Sequence, residues 1–446
     1  MNTSDVIDIF QSALRAADPY RAVLTHLSRN GDVLTAGEAE YHLNDFRRVL
    51  VIGAGKGTAA MAQAAEEVLG DRISVGLIIV KYSHTRPLRK IIQREAAHPL
   101  PDESGVRATA ELRDLLKGMD EKTLVLCLLS GGASSLLVAP AAGLSLSDKR
   151  ETTKTLLDAG ATIDELNTVR KHLSAIKGGR LAEAAYPATI ITAVLSDVIG
   201  DRLDVIASGP TVPDSTTFRD ALNVVHKHGL EDKITPAVFS LLHLGVAGVV
   251  PDTPKSEEIF FQKTRSIIVG GIRQSLDAAR NRATELGFET TVITAELQGE
   301  AREAARLLAS KALEVRAALR PGDKPRCLLA GGETTVTVRG KGTGGRNQEL
   351  ALAFALEIAG TEGIAMLSAG TDGTDGPTDA AGALVDGGTI NKALKQGLDP
   401  KAFLENNDSY TFFREYDAGT GEQAHLKTGP TGTNVMDLQI VTVTSA

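Results

Sequence analysis

Short apolar runs alternate with longer amphipathic segments along most of this chain. Apolar runs that stop at Gly-rich turns predict buried β-strands, and segments with apolar residues three and four positions apart predict helices. The predicted strands cover residues 48–52, 75–80, 91–94, 123–129, 189–195, 266–269, 289–294, 327–330, 333–338, 364–368 and 435–443. The predicted helices cover residues 4–28, 58–69, 103–116, 147–186, 218–228, 236–244, 273–286, 300–319 and a segment that opens at Arg346. This alternation predicts an α/β protein with largely parallel sheets covered by helices on both faces.

The chain has 446 residues, which is more than one hydrophobic core usually supports, so two domains are expected. Residues 250–258 contain two prolines and several charges and are the best candidate for a linker. The predicted domains are therefore residues 1–252 and residues 259–446.

Composition and charge argue against several classes of protein. The net charge is −8 and no basic tract stands out, which argues against nucleic acid or an anionic membrane as the main partner. Two cysteines, both in apolar strands, indicate neither a disulfide framework nor a zinc site. No segment reaches the roughly 18 apolar residues of a membrane span, and the first residues lack the basic region of a signal peptide. A reducing, cytoplasmic location is expected, and the oligomeric state stays open, a homo-oligomer included.

The turn VIGAGKG joins a predicted strand to a predicted helix, which is a common phosphate-binding arrangement. Gly53 and Gly55 would let the backbone approach a phosphate, and Lys56 would face an anionic ligand. Neither the dinucleotide fingerprint nor the Walker A loop is complete, because the spacing is G-x-G-x-G and Gly57 follows the lysine. A tight turn with a solvated lysine is the alternative.

Two nearly identical runs, CLLSGGASS and CLLAGGETT, each end a buried strand in Gly-Gly and small hydroxyl residues. We interpret them as two independent anion-binding turns, one in each domain. The candidate residues of the first turn are Ser130, Gly131, Gly132, Ser134 and Ser135. Hydrolysis by a serine triad is disfavoured because no G-x-S-x-G elbow surrounds these serines.

Asp197 directly follows the predicted strand 189–195, where doubly wound sheets bind their ligands. A helix cap is the alternative for a lone aspartate at this position. Residues 167–180 form a basic segment that ends in KGGR. A solvated face would explain the charges, but two glycines within a helical run suggest that the backbone approaches something.

The loop RGKGTGG precedes Arg346, and its four glycines would let backbone N–H groups face one anion. Gly344 and Gly345 are the candidate contacts. Arg346 would open a helix, where the helix dipole does not favour a cation, so an anion is expected opposite it. In the loop that follows strand 364–368, Asp372 and Asp375 could hold Mg²⁺ through oxygen ligands, with Asx turns as the alternative.

Several anion turns, a lysine, an arginine and scattered aspartates divided between two domains are typical of phosphoryl transfer. That reaction mainly requires positioning, cations around the developing charge, metal-binding carboxylates and a group that orients the nucleophile.

These motifs, together with SDVIGD, ASGPTVPD, GGETTVTVRGKGTGGRNQE, SAGTDGTDGPTDAAG and HLKTGPTGTNVMDL, resemble the glycerate 2-kinase family in the expected order along the chain. The resemblance implies a larger Rossmann-like α/β/α domain and a smaller α/β domain containing a MOFRL unit at about residues 325–440, with the active site in the cleft between them. It implies phosphorylation of D-glycerate at its 2-hydroxyl by ATP and Mg²⁺, giving 2-phosphoglycerate and ADP. The family's lysine, aspartate and arginine match Lys56, Asp197 and Arg346.

The remaining candidate residues concern the nucleotide, and they are Gly331, Gly332, Glu333 and Thr334. Two other functions are considered. A hydroxypyruvate reductase would need a nicotinamide cofactor, but the glycine spacing is wrong and the strand 75–80 is followed by Lys81 rather than an acid. A non-catalytic protein would bind the nucleotide and the hydroxy acid without releasing ADP.

Overall fold

The computed structural model describes residues 3–445. The chain divides into two compact units, called here the first unit (residues 19–269) and the second unit (the residues before 19 and after 269). This division differs from the predicted bounds at both ends of the first unit. The amino-terminal helix joins the second unit, where Ser275 donates a hydrogen bond to the Ala13 carbonyl at 3.2 Å. Local sequence patterns cannot reveal such a distant partner, and as functional domains the ranges 1–252 and 259–446 stay a prediction.

Helices and strands alternate along most of the chain. The helices are α1 (Thr3–Ala16), α2 (Pro19–His26), α3 (Thr58–Leu69), α4 (Glu103–Leu115), α5 (Ala133–Leu136), α6 (Leu146–Asp158), α7 (Ile163–His172), α8 (Arg180–Ala185), α9 (Phe218–Lys227), α10 (Pro236–Val246), α11 (Ile272–Glu285), α12 (Ala301–Ala318), α13 (Arg346–Glu357), α14 (Thr389–Lys395), α15 (Pro400–Glu405) and α16 (Ser409–Thr420). The strands are β1 (Leu27–Asn30), β2 (Val33–Ala36), β3 (Ala39–His42), β4 (Arg48–Ala54), β5 (Val75–Lys81), β6 (Ile91–Ala96), β7 (Thr123–Leu129), β8 (Thr189–Leu195), β9 (Thr264–Gly270), β10 (Glu289–Leu297), β11 (Arg326–Gly332), β12 (Ile364–Gly370), β13 (Gly382–Asp386), β14 (His425–Leu426) and β15 (Asp437–Val443).

The main sheet of the first unit has the order β6-β5-β4-β7-β8-β9. The pairs from β6 through β8 are all parallel, and every residue of β7 is buried, as expected for a strand covered on both faces. The chain runs outward from β4 to β6 on one side and then returns to β7 on the other. The carboxyl ends of β4 and β7 therefore form a topological switch point, where sheets of this kind bind ligands. The predicted α/β class and Rossmann-like sheet are confirmed.

The sheet of the second unit has the order β10-β11-β15-β12-β13-β14. Among the described strands of this sheet, only β10 and β11 pair in parallel. The last strand, β15, lies between β11 and β12 and runs antiparallel to both. The prediction of largely parallel sheets is thus wrong for this unit. An apolar run identifies a buried strand but not the direction of its neighbours.

Three other predicted elements need correction. No strand forms over residues 333–338, where Thr335 makes only an isolated bridge and Val338 is exposed. The helix predicted over residues 4–28 is two helices separated before Pro19, and the segment 147–186 is three helices. The described residues also include no helix with the length and apolar character needed to cross a membrane.

Candidate active site

The turn between β4 and α3 is built against the turn that follows β7. A Cβ at Gly53 would lie 2.2 Å from the Leu128 carbonyl oxygen, and one at Gly55 would lie 2.1 Å from Ser130 Oγ, so both positions require glycine. Ser130 Oγ accepts a hydrogen bond from the backbone N–H of Gly57 at 3.0 Å. Ser130 therefore holds the turn rather than facing outward.

Lys56 is fixed by its backbone and free at its ammonium group. Its backbone N–H donates to the Gly131 carbonyl at 2.8 Å, while its side chain makes no hydrogen bond or ion pair with any residue from 3 to 445. The backbone N–H groups of Gly131 and Gly132 likewise have no acceptor in the described chain. The switch point thus presents one uncommitted cation and two uncommitted donors, as an anion site requires.

Asp197 reaches the same place from the carboxyl end of β8. A Cβ at Gly131 would lie 2.3 Å from Asp197 Oδ2, so only a glycine lets the carboxylate approach the turn this closely. Burial raises the pKa of Asp197, and the positive charge of Lys56 opposes that shift. The structure therefore brings Lys56, Gly131 and Asp197 together, with a carboxyl group of raised pKa beside two uncommitted backbone donors.

His98 is a member of this group that sequence reasoning missed. It follows β6, and a Cβ at Gly132 would lie 2.9 Å from His98 Cδ2 and 3.3 Å from Lys56 Cγ. Burial, together with the charges of Lys56 and Lys81, lowers the pKa of His98 to about 4, so the ring is neutral at pH 7. The available signal was its position directly after a strand of the same parallel sheet.

The two serines of the turn have different partners. Ser135 Oγ donates to the Gly132 carbonyl at 3.0 Å and closes its own turn. Ser134 Oγ lies 3.2 Å from the hydroxyl of Ser208, which in turn donates to the Asn167 side chain at 3.1 Å. Ser134 therefore connects the turn to a more deeply buried polar region.

In the second unit, Arg346 does open a helix, but it is not isolated. Its Nε and a terminal nitrogen donate to the two oxygens of Asp437 at 2.5 and 2.9 Å, and another nitrogen lies 2.9 Å from Glu333. The anion expected opposite Arg346 is therefore supplied by the protein itself, and sequence patterns could not identify it because Asp437 lies 91 residues further along the chain.

The hydrogen bonds of the Gly-rich loop before Arg346 also differ from the predicted anion-binding arrangement. The backbone N–H groups of residues 339–343 donate mainly to the side chains of residues 406–408. Those donors are committed within the protein and do not converge on an open anion site. Gly344 and Gly345 stay candidates, and a Cβ at Gly345 would lie 2.2 Å from the Asp375 carboxyl carbon.

The second GG run does not reproduce the first. Gly331 and Gly332 lie inside β11, and a Cβ at Gly332 would lie 2.2 Å from the Leu297 carbonyl oxygen. Glu333 pairs with Arg346, while the buried Thr334 hydroxyl has no hydrogen-bond partner in the described chain. The parallel between the two runs is thus one of sequence, and the nucleotide assignment of these residues stays a prediction.

The aspartates of the loop after β12 serve the fold in different ways. Both oxygens of buried Asp375 accept hydrogen bonds from the backbone and side chains of Asn347 and Gln348, at 2.9 to 3.3 Å. Asp372 Oδ1 accepts from the Thr374 backbone at 3.0 Å, which closes an Asx turn. No group of three or more metal-ligating His, Cys, Asp or Glu side chains occurs within residues 3–445.

Comparison with known proteins is extensive over the whole chain. A family model described as a domain of unknown function (DUF4147) matches residues 5–243, and the MOFRL family model matches residues 326–437. A D-glycerate 2-kinase from Thermotoga maritima is 44% identical over 97% of this chain and 96% of its own length. The crystal structure of glycerate kinase from Thermotoga maritima superposes with a TM-score of 0.86 at 43% identity, covering 99% of both chains. A relative from Agrobacterium vitis, 39% identical over 98% of this chain and 93% of its own length, is named as a candidate hydroxypyruvate reductase.

Proposed function

This chain belongs to the glycerate 2-kinase family, and we propose that it transfers the γ-phosphoryl group of ATP to the 2-hydroxyl of D-glycerate, giving 2-phosphoglycerate and ADP. The observation that carries this proposal is the convergence of Lys56, Gly131 and Asp197 at the switch point of the parallel sheet. An uncommitted cation and free backbone donors suit a phosphoryl group, and a carboxylate beside them suits the attacking hydroxyl.

Asp197 accepts the proton of the 2-hydroxyl. As the bond from this oxygen to the γ-phosphorus forms, the bond from that phosphorus to the bridging oxygen breaks, and ADP leaves. The raised pKa of Asp197 supports this role, because a base works best when its pKa lies nearer to the working pH. Lys56 neutralises the charge on the transferring group, and the N–H groups of Gly131 and Gly132 orient it.

Arg346 contributes through a guanidinium held in one orientation by Asp437 and Glu333. A fixed cation stabilises developing negative charge without reorganising during the reaction. Gly344 and Gly345, which precede it, and residues 331–334 are assigned to the phosphates and the nucleotide of ATP.

Mg²⁺ is assigned to this reaction because it neutralises the β- and γ-phosphates when it is bound. Asp372 fits as a ligand, since its Oδ2 has no hydrogen bond among the described residues. Asp375 fits poorly, since both its oxygens already accept hydrogen bonds from N–H groups. Magnesium usually needs only one or two carboxylates together with substrate phosphates.

The reductase alternative is not favoured. Lys81 ends β5, where a dinucleotide-binding sheet would carry an acid for the ribose. A cytoplasmic location is proposed alongside the kinase activity, supported by two buried cysteines that are both free thiols.

The test incubates the purified chain with ATP, Mg²⁺ and D-glycerate and couples the product to enolase without phosphoglycerate mutase. An enolase signal is expected, because enolase consumes 2-phosphoglycerate but not the 3-isomer. ADP without that signal would overturn the position of phosphorylation. NADH oxidation with hydroxypyruvate and no ADP would favour the reductase, and ligand binding with neither product would favour a binding protein.

A further inference from the structure

Three basic side chains in the first unit form a buried group that the proposed reaction does not yet use. This basic cluster consists of Lys149 on α6, Arg170 on α7 and Lys177 before α8, with Lys149 and Lys177 only 7% and 2% exposed. Lys149 Nζ donates to the Leu173 carbonyl at 2.8 Å, and Lys177 Nζ donates to the Ala207 carbonyl at 3.2 Å. The half-buried Arg170 guanidinium makes no hydrogen bond or ion pair with any residue from 3 to 445.

No carboxylate of the described chain forms an ion pair with any member of the cluster. The adjacent Lys171 shows the contrast, since it pairs with buried Asp214 at 3.2 Å. Burial lowers the pKa of Lys149 to about 7, with a further contribution from the charge of Arg170, and it lowers the pKa of Lys177 well below its ordinary value. Positive charge gathered in a desolvated place without a counter-charge is unfavourable, so an anion there would be strongly stabilised.

A chain of hydrogen bonds leads from the switch point to a residue one helical turn before Arg170. Ser134, in the turn after β7, contacts Ser208, and Ser208 donates to Asn167. Asn167 lies three residues before Arg170 in α7, so the two side chains share a face of the helix. The cluster and the switch point therefore border one polar region of the first unit.

The backbone beside the cluster is strained. Ala207 and Ser208 have φ values of 54° and 59°, in the left-handed region that non-glycine residues rarely adopt. Such strain persists only where surrounding contacts impose it, and it is concentrated at functional sites. Here it directs the Ala207 carbonyl to Lys177 and the Ser208 hydroxyl to Ser134.

We propose that the basic cluster binds the carboxylate of the hydroxy-acid substrate, with the Arg170 guanidinium as its direct partner. The proposal rests on the proposed function, which gives the reacting hydroxyl to Asp197 and the phosphoryl group to Lys56. One free guanidinium matches one singly charged group with two oxygens. Since both lysines already donate to carbonyl groups, they contribute positive charge near the substrate carboxylate rather than a direct hydrogen bond to it.

The test compares D-glycerate with D-glyceramide, its neutral amide, in wild type, Arg170→Met and the matched control Arg150→Met. Arg150 is exposed on α6, next to Lys149 in the sequence. For Arg170→Met, kcat/KM with D-glycerate should fall about 10- to 100-fold, the size expected for a charged hydrogen bond, while kcat/KM with D-glyceramide changes less than about threefold. KM for ATP should stay within about twofold, and Arg150→Met should behave as wild type.

Two results would overturn the assignment. An equal loss with both acceptors would mean that Arg170 supports the fold rather than the carboxylate. A rise in KM for ATP with unchanged discrimination between the acceptors would mean that the cluster binds a phosphate. Thermal melting checks that Arg170→Met is folded. If Arg170→Met is not folded, Arg170→Lys serves instead. Arg170→Lys should lose part of the preference for D-glycerate, because lysine keeps the positive charge but cannot donate two parallel hydrogen bonds to a carboxylate.

Calorimetric titration without ATP separates this proposal from the proposed function. D-glycerate should bind wild type at least about tenfold more tightly than D-glyceramide, and Arg170→Met should lose most of that preference. If that binding pattern holds but wild type produces no ADP, the kinase proposal fails and the cluster assignment stands. If wild type produces 2-phosphoglycerate while Arg170→Met keeps the full preference, only the cluster assignment fails.

Discussion

Replacing Arg346 with Met should damage stability and activity through separate interactions, and a second change at Asp437 should separate them. Asp437 is 1% exposed and accepts two hydrogen bonds from Arg346, at 2.5 and 2.9 Å. The single change therefore leaves a buried carboxylate without its partner. Arg346→Met combined with Asp437→Asn removes that charge but does not restore the cation.

The expected magnitude follows from the burial of the two partners. Breaking a buried ion pair by removing one side typically costs about 3–5 kcal/mol. Because the Arg346 side chain is 33% exposed, solvent screens part of the interaction, and about 2–3 kcal/mol is expected. The double variant should recover about half of this loss, whereas kcat should fall about 100-fold in both variants, the effect of removing one electrostatic contact from a transition state.

Urea unfolding followed by far-UV circular dichroism measures the stability, since the chain has no tryptophan. Glu333→Gln is the control, because Glu333 is the more exposed partner at 46% and should contribute less than about 1 kcal/mol. Recovery of kcat in the double variant would refute a direct role for Arg346 in the reaction. Wild-type stability in Arg346→Met would refute the argument from burial.

Three further predictions concern single positions. Asp375→Ala should lower the free energy of unfolding by about 2–4 kcal/mol, because it uncaps α13 and leaves buried donors unpaired. The control Asp372→Ala should lower it by less than about 1 kcal/mol. If the loss of stability in Asp375→Ala disappears in EDTA, Asp375 is instead a metal ligand. Lys56→Met should abolish phosphoryl transfer and leave the urea midpoint at its wild-type value, since the Lys56 ammonium has no partner among the described residues. The exposed control Lys122→Met should leave both activity and midpoint unchanged. Because the pKa of His98 is lowered to about 4, the unfolded chain takes up this proton below about pH 6.5 and the folded chain does not. The free energy of unfolding should thus fall from pH 6.5 to pH 4, and it should fall less steeply in His98→Asn. Equal slopes in wild type and His98→Asn would contradict a lowered pKa of His98.

Most of the first unit could be predicted because its strands and turns are determined by residues that are close together in the sequence. Strands such as Thr123–Leu129 and Thr189–Leu195 are continuous apolar runs bounded by turn residues, and their predicted ends match the structure. Lys56 and Asp197 could be identified as candidates because each directly follows such a strand. Parallel strands with this connectivity bring those positions to one edge of the sheet.

The second unit was harder to predict because its determinants are distant in sequence. The position of β15 between β11 and β12 decides the direction of the sheet, and it also supplies Asp437 to Arg346. The donors of residues 339–343 are matched by residues 406–408, more than 60 positions later. A Gly-rich loop indicates that the backbone approaches something closely, but not whether that neighbour is a ligand or another loop.

We therefore expect uncommitted donors to indicate a ligand site in this chain better than glycine content does. The turns after β7 and within β11 share almost the same letters, yet only the first leaves glycine N–H groups without acceptors beside a free lysine. The same criterion distinguishes Arg170 from Arg346: both are partly buried, but only Arg346 has protein carboxylates as partners. Since a desolvated donor without an acceptor is unfavourable, the free groups Lys56, Gly131 and Arg170 mark where the folded chain gains most from an anionic substrate. A hydroxy acid and a phosphoryl donor supply such charges together, and for that reason the first unit is expected to account for most of the substrate specificity.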